Sequence, residues 1–114
     1  MGYDLYEELT EKTEQLNASI KRLRYSGTEK ARTEKEYKVL LRQECLKLRD
    51  EGMAIGMIDK TCYGIPEVAE ARFRRDVADT IYTANMEAIN GLKLQIRIIN
   101  EQIQREWGSD GGGL

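Results

Sequence analysis

The longest uninterrupted pattern in the sequence lies in its second half, from Pro66 to Trp107. These 42 residues contain no proline after the first position and a single glycine, Gly91. Their apolar residues recur every three or four positions, which is the period of an α-helix with one buried side. A proline suits the first turn of a helix, because its missing N–H has no partner there. The pattern therefore predicts one long helix over about residues 66–107.

A second long helix is predicted over about residues 3–51. Its seam follows the alternating three- and four-residue spacing of a coiled coil, at Tyr6, Leu9, Thr13, Leu16, Ile20 and Leu23. The same frame continues past Gly27, which favours one unbroken helix, since a turn has no reason to keep the register. Ser26, with Glu29 three residues later, also matches a capping box. A break near residues 26–28 is therefore the alternative.

The connector between the two helices, residues 52–65, is short, irregular and apolar. Gly52 is placed to end the first helix as a C-cap, and a helix of one or two turns fits around residues 54–61. The apolar side chains could fold back over the helix ends or dock a partner. As a partner-binding tip we predict Met53, Ile55, Met57, Ile58, Tyr63 and Ile65.

Together these patterns predict an all-α protein with one helical domain over residues 1–107. The two helices, about 49 and 42 residues long, nearly match in length. We expect a long, coiled-coil-like antiparallel hairpin with the connector as its tip. Residues 108–114 are rich in glycine and are predicted to be a flexible tail.

The last helix carries two apolar stripes, which predicts self-association. One stripe consists of Val77, Ile81, Ala84, Ala88 and Gly91. The other, to which we assign self-association, consists of Tyr82, Met86, Ile89, Leu92, Ile96, Ile99 and Ile103. A single partner helix covers only one of them. The hairpin is therefore expected to assemble into a dimer or a larger helical bundle.

Composition argues against an enzyme. The chain has no histidine, so it lacks the commonest general acid–base group and metal ligand. It also has no glycine-rich phosphate loop, and its two cysteines are not spaced as a zinc site. We therefore predict no catalytic, cofactor-binding or metal-binding residue. Cys45 falls on an apolar stripe and is expected in the core, whereas Cys62, in the connector, is expected to be exposed.

A nucleic-acid site is a weaker candidate. The net charge is −2, from 18 basic and 20 acidic residues that are interspersed, whereas nucleic-acid binders usually carry a basic excess or a basic face. The residues best placed to contact phosphates are Lys60, Arg72, Arg74 and Arg75, with Arg42 and Arg49 nearby.

The sequence predicts a cytoplasmic protein with reduced thiols. No cationic segment followed by an apolar run opens the chain, so no secretory signal is visible. No run reaches the roughly 18 apolar residues of a membrane span. We accordingly predict no membrane partner.

Four segments carry a resemblance to a known group of proteins. They are YKVLL at residues 37–41, LRDEGM at 48–53, AEARFRRDVA at 69–78 and QIQREW at 102–107. From about Gly27 to Trp107 the chain resembles small uncharacterised helical proteins of phages and prophages of Gram-positive bacteria. The resemblance implies a phage early or accessory product made in the bacterial cytoplasm, and it implies no functional residues.

We therefore predict a non-enzymatic, phage-encoded interaction protein that associates with itself and binds a host or phage protein. Such a protein could inhibit a host defence or act as an assembly factor. The first alternative is a nucleic-acid-binding accessory factor in phage recombination or replication. The second is a purely structural coiled-coil spacer.

Overall fold

The computed structural model describes the backbone of residues 2–112 and the side chains of residues 4–108. Over this part of the chain there are three helices and no strand: α1 (Gly2–Asp50), α2 (Ile55–Cys62) and α3 (Pro66–Gly112). The long helices α1 and α3 pair, and α2 lies in the connection between them. This confirms the predicted all-α helical hairpin.

Helix α1 runs through Gly27 without a break, so the predicted alternative of a turn near residues 26–28 does not occur. Ser26 is buried inside the helix rather than capping a new one. A glycine in a helix interior costs only about 1 kcal/mol relative to alanine, which the paired helix tolerates. The ring of Tyr82 on α3 packs against this glycine.

Helix α1 ends in a Schellman motif built around Gly52, the residue predicted to cap this helix. Gly52 has a φ of +90°, the only positive φ among the described residues. Its N–H donates to the carbonyl of Arg49, and the N–H of Met53 donates to that of Leu48, each at 3.0 Å. These two bonds satisfy carbonyls that the helix end leaves unpaired. The chain can therefore turn directly into α2.

Helix α3 begins at Pro66, as predicted, but ends at Gly112 rather than near Trp107. Extending an existing helix adds one backbone hydrogen bond for each residue ordered, without the cost of a new nucleus. The extension therefore covers most of the predicted flexible tail. The last two residues of that tail, Gly113 and Leu114, lie outside the described residues.

The chain divides into two compact units. One unit comprises residues 1–24 and 84–114, and the other comprises residues 25–83.

The unit of residues 25–83 has its core where α1 meets the start of α3. Tyr37, Val68 and Ala71 are buried there, and Leu40, Leu41 and Ile65 pack against them. Polar contacts join the same two helices further along. The ammonium of Lys30 is 3.1 Å from a carboxylate oxygen of Asp79 and 4.9 Å from the centre of the Tyr82 ring.

The unit formed by residues 1–24 and 84–114 is held by a leucine–isoleucine seam. Ile89, Ile99 and Ile103 of α3 are buried. The half-buried apolar residues of this unit include Leu5, Leu9, Leu16, Ile20, Leu23, Leu92 and Ile96. The amide of Asn85 donates to the backbone carbonyl of Arg22 at 3.5 Å.

The seam of α1 follows the predicted one in part, with a small rotation. Of the predicted positions, two are exposed, Tyr6 and Thr13, and four are half-buried, namely Leu9, Leu16, Ile20 and Leu23. The buried positions between and beyond those leucines are hydroxyl residues seven apart, namely Ser19, Ser26 and Thr33. Small side chains allow two helices to approach closely, and hydroxyls can bond to nearby groups of their own helix. Ser19 accepts from Arg22 at 2.9 Å, and Thr33 donates to the Glu29 carbonyl at 2.9 Å.

Within the described residues, no helix is long and apolar enough to cross a membrane.

Candidate functional site

A groove of about 550 Å³ lies between the last turns of α1 and helix α2, within the unit of residues 25–83. We call it the basic groove. Its lining residues are Lys38, Leu41, Arg42, Cys45, Leu46 and Arg49 from α1 and Ile55, Ile58 and Asp59 from α2. The α1 residues are spaced three, four or seven apart, so they share one side of that helix.

The groove combines an apolar floor with a cationic rim. Leucine and isoleucine side chains supply the floor. Lys38, Arg42 and Arg49 supply three positive charges, against one negative charge from Asp59. Lys38 also pairs with Glu34 at 3.4 Å along α1. An apolar surface bordered by cations is suited to an amphipathic segment that carries acidic residues.

Helix α2 presents two different sides because its residues follow the helical period. Ile58 and Cys62, four residues apart, face the rest of the unit and are buried. Ile55 is 83% exposed and Met57 is 54% exposed. Gly64 N–H donates to the Thr61 carbonyl at 3.1 Å, which closes the end of the helix.

The predicted partner-binding tip is therefore divided. Ile58 is buried, Ile65 packs against the core, and Met53 is half-buried. Ile55, Met57 and Tyr63 remain exposed. Part of the connector thus folds back against the helices, as one alternative stated, and part of it is exposed as surface, as the other alternative requires. Four groove residues were not predicted as site residues, namely Lys38, Leu41, Leu46 and Asp59. For those on α1, the available signal was their helical spacing from Arg42 and Arg49.

Two thiols lie together between α1 and α2, and one of them, Cys45, lines the groove. The sulfur of Cys45 on α1 is 2.9 Å from the sulfur of Cys62 on α2, and both are free cysteines. The Cys62 thiol is also 3.4 Å from the carbonyl of Leu41. Burial raises the pKa of Cys62 to about 12, and the neighbouring Cys45 and the carboxylates of Glu44 and Asp59 act in the same direction.

The prediction that Cys62 is exposed is wrong, since none of its surface is accessible. The more accessible thiol is Cys45, which is half-buried. The reason is the orientation of α2: its last turn faces α1, and this orientation depends on packing between helices that a linear pattern does not contain.

The predicted nucleic-acid residues do not form one cationic face. The guanidinium of Arg75 lies 4.6 Å from the centre of the Tyr37 ring and donates to Asp76 at 2.9 Å. Arg72 lies over the Tyr63 ring at 6.0 Å. Arg74 borders a different groove. Arg72 and Arg75 are three residues apart and share one side of α3, whereas Arg74 lies about 100° around the helix from Arg75.

Most of the predicted self-association stripe is used inside the chain. Ile89, Ile99 and Ile103 are buried, and Tyr82, Leu92 and Ile96 are half-buried. Met86 is exposed. These side chains alternate at the three- and four-residue spacing that packs α3 on α1, so only Met86 is left as open surface. The stripe predicts the intrachain seam better than it predicts a contact between copies.

The other apolar stripe of α3 begins at a second groove, of about 290 Å³, in the unit of residues 25–83. Val77 and Ile81 line it together with Tyr25 and Arg74. Val77 and Ile81 are 40% and 50% exposed. This groove offers an apolar surface that the described part of the chain leaves uncovered.

Comparison with protein-family models, with curated proteins and with solved structures gives no match for this chain.

Proposed function

We propose that this protein is a non-enzymatic interaction protein whose basic groove binds an acidic, amphipathic segment of another protein. The observation that carries the proposal is the composition of that groove: an apolar floor, three basic side chains and one acidic one on two adjoining helices. Ile55, at 83% exposure, is the outstanding anchor. Burying such a side chain against a partner contributes about 1.5–3 kcal/mol.

The charge distribution selects the partner class. Arg42 and Arg49 lie seven residues apart on α1, which is two helical turns or about 10 Å. Acidic residues four and seven apart on a partner helix reach cations at that spacing, while its apolar side meets Leu46 and Ile55. A basic segment would be repelled from the same surface.

The resemblance to phage and prophage proteins supports a host or phage protein as the partner, in the cytoplasm of a bacterium. An inhibitor of a host defence and an assembly factor are both consistent with this mode of binding. Self-association is part of the proposal, with the groove beside Val77 and Ile81 as its contact surface.

A designed peptide tests the binding mode directly. A fluorescent acidic amphipathic helix should bind the full chain, with anisotropy rising on titration, and the same helix with lysines replacing its acids should not. The double variant Arg42→Glu with Arg49→Glu should bind the acidic peptide at least tenfold more weakly. Its binding should not become more dependent on salt concentration. The matched control is Lys93→Glu with Arg97→Glu, an exposed pair of α3 with the same charge change. Equal binding by both double variants would reject the groove.

An affinity pull-down from host lysate, with and without nuclease, then identifies the natural partner. Under the proposal, a protein survives nuclease treatment, is lost with the Arg42/Arg49 variant and is displaced by the acidic peptide. Captured proteins that disappear with nuclease would favour the nucleic-acid alternative instead. Recovery of the protein alone would favour the spacer.

A further inference from the structure

The two cysteines form a pair that joins separate helices. Cys45 lies on α1 and Cys62 is the last residue of α2, and their sulfurs are 2.9 Å apart. A disulfide needs the sulfurs at about 2.05 Å. The remaining gap of under about 1 Å is within the reach of side-chain rotation, so the helices are already placed for a bond.

We propose that Cys45 and Cys62 are an oxidisable dithiol that forms an intramolecular disulfide between α1 and α2. The oxidant is a small-molecule disulfide such as oxidised glutathione. In the first step, the Cys45 thiolate attacks one sulfur of the oxidant, forms a mixed disulfide and releases one reduced thiol. In the second, the Cys62 thiolate attacks the Cys45 sulfur and releases the other. Each cysteine loses one electron and one proton, and the oxidant becomes two thiols.

Accessibility assigns the order of these steps. Cys45 is half-buried and can be reached from the basic groove, which it lines. Cys62 has no accessible surface, so its thiolate cannot reach the sulfur of an external disulfide in the first step. The reactive species in each step is the thiolate. Because burial raises the pKa of Cys62 to about 12, little of this thiol is ionised at neutral pH, which slows closure of the bond.

The expected compartment fits a switch rather than a permanent bond. Cytosolic thiols are kept reduced, and cytosolic disulfides are usually transient. The pair would therefore rest as two thiols and close when the glutathione pool becomes oxidising. A further consequence rests on the proposed function. Closure of the disulfide would also fix Ile55 and Ile58 of α2 against α1 and so set the width of the basic groove.

The test uses the full chain in buffers of reduced and oxidised glutathione at fixed ratios. After acid quenching and alkylation, intact mass should show a monomer lacking two hydrogens and carrying no alkyl group. Digestion should give one cross-linked peptide pair containing Cys45 and Cys62. A protein that remains fully alkylated at every ratio, or that forms only dimers on a non-reducing gel, would refute the proposal.

The order of attack has its own measurement. Cys62→Ser should accumulate a stable glutathione adduct on Cys45, whereas Cys45→Ser should resist glutathione addition. Circular dichroism checks that each variant is folded. The cross-link measurement on the wild type does not depend on either variant. The rate of closure should rise about tenfold for each pH unit between pH 7 and 9, since the thiolate fraction of Cys62 grows in that proportion below its pKa. Glutathione addition to Cys45→Ser as fast as to Cys62→Ser would overturn this order.

The peptide titration separates the two proposals. Disulfide formation with unchanged peptide affinity would support the dithiol and leave the groove unregulated. Absence of peptide binding in both redox states would reject the proposed function without affecting the cross-link result.

Discussion

Gly27 and Gly52 differ in backbone conformation, so substitution by alanine should have opposite effects at the two positions. Gly52 has a φ of +90°, a region that costs an ordinary L-residue roughly 1–2 kcal/mol. Gly27 lies in the interior of α1 with an ordinary helical backbone, where any residue with a β-carbon gives a stiffer helix. A β-carbon at this position would lie 3.4 Å from the Tyr82 ring, which is an ordinary contact distance.

Gly27→Ala is therefore expected to raise the free energy of unfolding by up to about 1 kcal/mol. Gly52→Ala is expected to lower it by about 1 kcal/mol or more, because the Schellman motif would be strained. Urea denaturation followed by circular dichroism measures both. Gly91→Ala is the matched control, since open space surrounds that helical position. Destabilisation by Gly27→Ala but not by Gly91→Ala would show that the Tyr82 ring cannot yield.

At the scale of the helices, the rotation of α1 is the feature that decides which residues face α3. The hydroxyl residues Ser19, Ser26 and Thr33 lie at buried positions. The larger Tyr6 and Tyr25 lie outside, at 47% and 71% exposure. Small hydroxyl side chains need little space between two helices, and those of Ser19 and Thr33 are hydrogen-bonded within α1. Both properties favour the observed rotation.

Replacement of Ser26 by leucine tests this rotation. The added volume should overpack a closely spaced interface and lower the free energy of unfolding by about 1–3 kcal/mol. Tyr25→Leu, at the adjacent exposed position, is the control and should change it by less than about 0.5 kcal/mol. Thermal and urea denaturation would show the difference. If Ser26→Leu stabilised the protein, the interface at Ser26 would have room for a larger side chain, against this account of the rotation.

Much of the fold could be predicted from the sequence, and particular residues show why the remainder could not. The absence of proline, the C-cap at Gly52 and the helix start at Pro66 fixed the limits of the helices to within a few residues. The rotation of α1 was missed because a serine counts as polar, although small size can matter more than polarity at a helix crossing. The burial of Cys62 and the basic groove both depend on how α2 faces α1, which no spacing along one helix reveals.

At the scale of the whole molecule, the chain leaves more large apolar side chains exposed than it buries. The buried ones among the described residues are Tyr37, Ile58, Val68, Ile89, Ile99 and Ile103. Those with the greatest exposure are Tyr25, Ile55, Met57, Phe73, Ile81 and Trp107. A small helical protein with this balance gains stability by covering apolar surface with another chain.

We therefore expect self-association through the surface that contains Val77 and Ile81. Sedimentation velocity over a range of concentrations should show a dimer or larger species in the wild type. Val77→Glu with Ile81→Glu should shift the equilibrium to monomer, because it places charge in an apolar contact. Leu94→Glu with Ile98→Glu, a similarly exposed pair of α3, is the comparison. A wild type that stays monomeric at every concentration would contradict the expectation.

The pairing of α1 with α3 also has a consequence for the order in which the protein folds. The thiol pair closes a sequence separation of 17 residues, whereas the bond from Asn85 to the Arg22 carbonyl closes one of 63. Closing the longer loop directly costs about 1 kcal/mol more in chain entropy. Once the helical segments within residues 25–83 have paired, this entropy difference disappears. Arg22 and Asn85 then directly adjoin helical turns that are already ordered. Residues 4–24 are synthesised before their partners on α3, yet from this difference in chain entropy we expect them to acquire their native contacts last.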